Sequence, residues 1–119
     1  MSKKKKKIIV GMFYHFYNGP AHPAMVYENV KKYGTYRAIK TGTTKRKDMI
    51  KIKPIQSGKE TFVHLRPVEG TRRDFGEREL KDLSFNADDQ EIIDEIKKRK
   101  PKLTKSAKKK RQIKMPSND

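Results

Sequence analysis

Arg37-Ala38-Ile39-Lys40-Thr41-Gly42-Thr43-Thr44-Lys45-Arg46-Lys47 is the stretch on which the fold turns. An alternating segment ends there in hydroxyl residues and a glycine, and a basic triplet follows, as when a strand runs into a loop. Small residues let a backbone come close to a ligand, hydroxyls and amides hold phosphate, and three cations attract nucleic acid regardless of its sequence. A hydrophilic hairpin turn carrying solvated charge has the same composition. The flanking sequence has to decide between the two.

Upstream, Ile8 to Phe16 is rich in β-branched and aromatic residues and is followed by the turn signal Asn18-Gly19-Pro20, which predicts a first strand. Pro20 and Pro23 keep Gly19–Pro23 extended or turning. Ala24-Met25-Val26-Tyr27 predicts a second strand, Gly34 a reversal, and Thr35 to Lys40 a third strand. Downstream, Met49-Ile50-Lys51-Ile52-Lys53 alternates with both isoleucines towards the core, and Pro54 limits further pairing. Ser57-Gly58-Lys59 reads as a turn, and Glu60 to Arg66 as a strand with Phe62 and His64 on one face and Val63 and Leu65 on the other. Five short strands separated by Gly and Pro turns predict a mainly β chain, a small barrel rather than a βαβ sheet.

The composition changes at Asp74. Residues 8–73 hold 13 basic and 4 acidic side chains, whereas residues 74–96 hold 9 acidic and 2 basic ones. Asn86 is placed to cap a helix from Ala87, with Asp88 and Asp89 in its first turn, Ile92, Ile93 and Ile96 on one face, and Pro101 as its stop. The simplest role for these acids is capping and solubility.

The net charge of +17 sits mostly at the two ends: five lysines precede Ile8, and 11 basic residues lie between Lys97 and Lys114. With few apolar residues after Lys100, the expected organisation is a basic arm over 1–7, a folded domain over 8–98 and a disordered basic tail over 99–119. Such arms bind polyanions, nucleic acid being the commonest. Lys45, Arg46, Lys47, Arg72, Arg73, Lys108, Lys109 and Lys110 are the candidate nucleic-acid contacts. The absence of cysteine excludes disulfides, thiolate zinc sites and a cysteine nucleophile, and His15, His22 and His64 lack metal-ligand spacing, so no cofactor or metal is expected. The lysines before Ile8–Tyr14 imitate a signal peptide, but the apolar run ends at His15 with no A-x-A site, which points to a cytoplasmic protein.

Gly19-Pro20-Ala21-His22-Pro23-Ala24-Met25-Val26 resembles the opening of the MazF/PemK (CcdB-like) toxin family, a basic loop with proline leading into an apolar strand. Thr41 to Thr44 is similar to the Thr/Ser pair ending a later family strand, Glu60–Leu65 to a strand after it, and Arg72–Leu83 to the basic turn and short helix that follow. The likeness runs over about residues 8–98, by order of elements more than by identities. It implies an SH3-like barrel and an endoribonuclease acting on single-stranded RNA, with His22 at the family's arginine position and the hydroxyl among Thr41, Thr43 and Thr44. Catalytic roles then fall to His22, Thr43 and Thr44, with the RNA 2′-hydroxyl as nucleophile and Lys45 or Arg73 offsetting phosphate charge. Histidine in place of arginine weakens that last function, being mostly neutral at pH 7.

The expected partners are single-stranded RNA, an acidic antitoxin protein and a second copy of the chain, with no membrane. Two other functions fit the same residues. One is a non-catalytic nucleic-acid-binding accessory protein associated with ribosome, phage or plasmid. The other is a protein-interaction module using the acidic helix.

Overall fold

A computed structural model describes residues 6–17 and 21–114. Lys3–Lys5, the turn at Asn18-Gly19-Pro20 and the last five residues of the expected tail lie outside the described residues. The chain is mainly β, with strands β1 (Phe13–Tyr17), β2 (Ala21–Val30), β3 (Thr35–Gly42), β4 (Met49–Ile52), β5 (Thr61–His64), β6 (Val68–Gly70) and β7 (Lys102–Leu103). Two helices follow the main strands, α1 (Gln90–Lys97) and α2 (Lys105–Lys114). No helix among the described residues is long and apolar enough to cross a membrane.

The sheet is built around β3. Residues 35–40 pair with β2, while the other edge of β3 is shared, β6 taking the first half and β5 the second, with β4 beyond β5. All these ladders are antiparallel, and only β6 with β7 is parallel. Among the described residues the ladders leave the sheet open. Residues 75–80 cover the outer edge of β1 instead: Gly76 N donates to the His15 carbonyl and Leu80 N to that of Phe13, each at 2.7 Å.

Both faces of the sheet are packed. Tyr14, Phe16, Ala24, Val26, Ala38 and Val68 meet Ile8 and Phe75 on one side. Phe13, Met25, Ile39, Ile52 and Val63 meet Ile93 and Ile96 of α1 on the other, as the helical spacing of those isoleucines requires. Asn86 does cap, its side chain accepting from Asp88 N, but the cap opens a short 3-10 turn (Ala87–Asp89) that leads into α1.

The first strand starts later than its composition suggests. Ile8 to Met12 folds back through a turn at Gly11 (φ 99°), a left-handed conformation that favours glycine. β2 starts earlier than expected and includes Pro23. Ladder pairing with β3 begins only at Ala24, so the missing proline N–H costs nothing there. Thr41 Oγ1 donates to the Pro23 carbonyl at 2.8 Å and extends the β2–β3 seam by a side chain.

The expectation of a disordered tail over 99–119 is corrected for its described part. Lys102 N donates to the Pro67 carbonyl and Thr104 N to that of Glu69, which extends the sheet, and Thr104 then caps α2 through Ala107 N. Ala107 is fully buried. Arg111 reaches back to Glu69 through two nitrogens, at 2.9 and 2.8 Å, and lies 4.3 Å from the Tyr33 ring centroid. Polar bonds and one guanidinium order this segment, which is why its low apolar content misled the sequence reading.

Asp74 ties the same region together, its Oδ2 accepting from Thr71 N (2.8 Å), Thr104 Oγ1 (2.7 Å) and Ser106 Oγ (2.6 Å). A Cβ on Gly70 would stand 2.7 Å from that oxygen and 3.1 Å from Asp74 Cβ. Gly70→Ala should therefore cost about 1–3 kcal/mol by overpacking. A urea midpoint equal to wild type would show that Asp74 moves aside freely.

Candidate nucleic-acid interface

The sheet ends, at Gly42, in two differently lined surfaces. Side chains alternate along β3, so Thr41 and Lys40 stand on opposite faces. On the Thr41 side lies a cleft of about 790 Å³, lined by His15, Pro23, Thr41 and Thr43, by Ile55, Gln56 and Lys59 of the loop before β5, and by residues 79–83. His22 and Gly42 line it as well. His22 and Thr43, placed together by the resemblance, thus share one concavity, while Thr44 is exposed and outside it. Thr41 is only 1% exposed and its hydroxyl is committed to Pro23, which gives it a structural role. The cleft is electrostatically mixed rather than basic, since Glu79 and Asp82 offset Lys59 and Lys81.

The other face is the more cationic. Ala24 pairs with Lys40, Phe16 with His22 and Met49 with His64. Lys40 is half-buried with its Nζ 5.8 Å from the Phe16 ring centroid. Burial, and then the Lys102 ammonium, hold Lys40 below the ordinary lysine pKa. His64 is pushed down to about 4, first by burial and then by Lys40, His22 and Arg46, with Asp48 opposing them. Neither Lys40 nor His64 stood out in sequence as a site residue. The available signal was the same-face placement of Phe62 and His64, but β4 intervenes in the chain between β3 and β5 and conceals their pairing.

Lys45, Arg46 and Lys47 are exposed in the loop from β3 to β4. The loop ends at Asp48, whose left-handed backbone (φ 66°) short polar residues tolerate, and whose carbonyl accepts from Leu65 N at 2.9 Å. Lys108, Lys109 and Lys110 are exposed on α2, and Arg73 is exposed beside Thr71. Arg72 is engaged differently: its guanidinium donates to the carbonyls of Lys6, Phe75 and Gly76 and lies 5.8 Å from the Tyr14 ring centroid. It fastens the N-terminal segment to the sheet.

Acids and bases are segregated by their pairing. Glu28 and Glu69 bind Arg37, Glu69 also binds Arg111, Glu60 binds Lys51, and Asp74 is occupied by hydroxyls. Among the described residues, Lys40, Lys45, Arg46, Lys47, Lys102 and Lys108–Lys110 make no ion pair. Comparison with known protein families, curated proteins and solved structures finds no match to this chain.

Proposed function

We propose that this protein binds nucleic acid, with single-stranded RNA as its ligand, along the end of the sheet formed by Lys40 and the Thr43–Lys47 loop. The carrying observation is the ion-pair pattern: four of the five acids between residues 8 and 74 are occupied internally, Asp48 being the exception, while among the described residues Lys40, Lys45, Arg46, Lys47 and Lys108–Lys110 make no ion pair. Unpaired cations are the ones that release counterions when they meet phosphates. A single strand suits the surroundings better than a duplex. Tyr17, 49% exposed, lies 6.4 Å from the His15 ring and offers a stacking surface, and the cleft has threonine and glutamine groups for base edges and 2′-hydroxyls. The resemblance to MazF/PemK toxins, in the order of elements, supports the same ligand.

Cleavage of that RNA is a second reading, favoured by His22 and Thr43 lining one cleft. The test is binding of a fluorescent single-stranded RNA to the full chain over a salt series. Log affinity should fall against log salt with a slope of about −0.7 per phosphate contact. Salt-independent binding, or none, overturns the proposal. In the same samples, intact RNA removes the second reading alone, and cleavage that survives His22→Ala removes His22 from it.

A further inference from the structure

Lys40, His22 and His64 stand around one bare point of the sheet. Thr41 pairs with Val63 and Gly42 with Phe62, so the register sets Lys40 beside His64 one step back. Ala24 pairs with Lys40 in the last pair of the β2–β3 ladder, and His22, just beyond it at the end of the sheet where the two surfaces meet, both lines the cleft and acts on His64. Gly42 contributes no side chain to this ring. A Cβ there would come within 3.3 Å of the Met49 methyl, which with Phe16 makes the floor apolar. Three nitrogen-bearing side chains thus surround an apolar floor, where a hydrogen bond to a charged group is stronger than in water.

The surrounding charges are mostly cationic. Arg46 and Asp48 act on the site from the β3–β4 loop and Lys102 from β7, so Asp48 alone opposes Lys40, Arg46 and Lys102. Among the described residues no carboxylate lies within ion-pair distance of Lys40. A half-buried ammonium without a counter-ion is costly unless a ligand supplies one. A phosphate fits, since its oxygens accept from several directions at once.

Resting on the nucleic-acid reading, we infer that Lys40, His22 and His64 form a subsite for one backbone phosphate of the bound RNA, distinct from the exposed Lys45–Lys47 loop. The subsite strengthens as pH falls and the His64 imidazole becomes cationic, with burial, Lys40, His22 and Arg46 opposing that protonation and Asp48 favouring it. An anion seated there must in turn raise the pH at which His64 titrates. The low value of about 4 in the free protein fits a buried position where Lys40, His22 and Arg46 outweigh Asp48.

The experiment follows the imidazole resonances of His22 and His64 by NMR over pH in the full chain. It compares free protein, inorganic phosphate and a short single-stranded RNA with a 5′-hydroxyl. The expected result is an upward move of the His64 midpoint with the RNA, lost in Lys40→Met. The wild-type titration decides by itself should that variant fail to fold. RNA that binds, by perturbing the Lys45–Lys47 amides, yet leaves His64 unmoved overturns the subsite and spares the nucleic-acid reading. A midpoint moved by inorganic phosphate, with no RNA binding anywhere, overturns the assignment to RNA together with that reading.

Discussion

Glu69→Gln should be among the most destabilising conservative changes in this chain, costing about 3 kcal/mol. The carboxylate is 0% exposed and accepts from Thr35 Oγ1 at 2.8 Å, Arg37 Nε at 3.0 Å and two nitrogens of Arg111. An amide would set its own NH2 against a guanidinium and leave two cations without their shared counter-charge. The cost stays at the lower end for a broken buried pair because both arginines keep some access to water. Hydrogen exchange should show α2 released first, since Arg111 is its tether. Burial alone would raise the Glu69 pKa, but hydrogen bonds from Arg111, Thr35 and Arg37 outweigh it and hold the group below the ordinary glutamate value. The folded state therefore prefers the charged form. This stabilisation is complete above the ordinary glutamate pKa and is lost as pH falls through the lower folded value. Urea midpoints should accordingly fall in acid for wild type and change less for the variant. Equal midpoints at neutral pH would sink this account.

The triple variant Lys45→Ala/Arg46→Ala/Lys47→Ala should keep its fold and lose RNA affinity by roughly 10–100-fold at low salt. The three side chains are exposed and make no ion pair among the described residues, so their removal should alter stability by less than about 0.5 kcal/mol. Loss of three phosphate contacts should make the salt slope shallower by about 2. Wild-type and variant curves should converge at high salt, where the electrostatic contribution is screened. Superimposable curves at every salt concentration would return the loop to the role of a solvated turn. Substitution is the right tool here. Deleting the C-terminal residues removes Arg111 along with the lysines and confounds binding with folding.

The sequence carried the elements whose signal is local. Clean alternation located β4, the Gly34 and Gly58 reversals were legible from glycine, and the helical spacing of Ile92, Ile93 and Ile96 located α1. β6 and β7 were not legible. Val68–Gly70 is three residues long and Lys102–Leu103 two, too short for any period to show, and their partners lie far away in the chain. The same limit hid the site. His22 and Thr43 were legible as candidates because each adjoins a turn signal, whereas Lys40 and His64 come together only through the β3–β5 ladder. Glu69 and Arg111 looked like ordinary surface charge and Arg72 like a nucleic-acid contact, because nothing local in a sequence distinguishes a solvated ion from a buried one.

The reach of Arg111 to Glu69 also sets an order on biosynthesis. The carboxylate and its closing guanidinium are separated by 42 positions in the chain. A nascent polypeptide that has just exposed Glu69 carries a carboxylate with Thr35 and Arg37 available to it, and no second arginine. Until residue 111 emerges, water has to complete the solvation of that group, so β6 cannot bury its centre without cost. Domains generally fold as units during synthesis. For this one the unit is finished by a residue on α2, and β6 waits for the ribosome to deliver it.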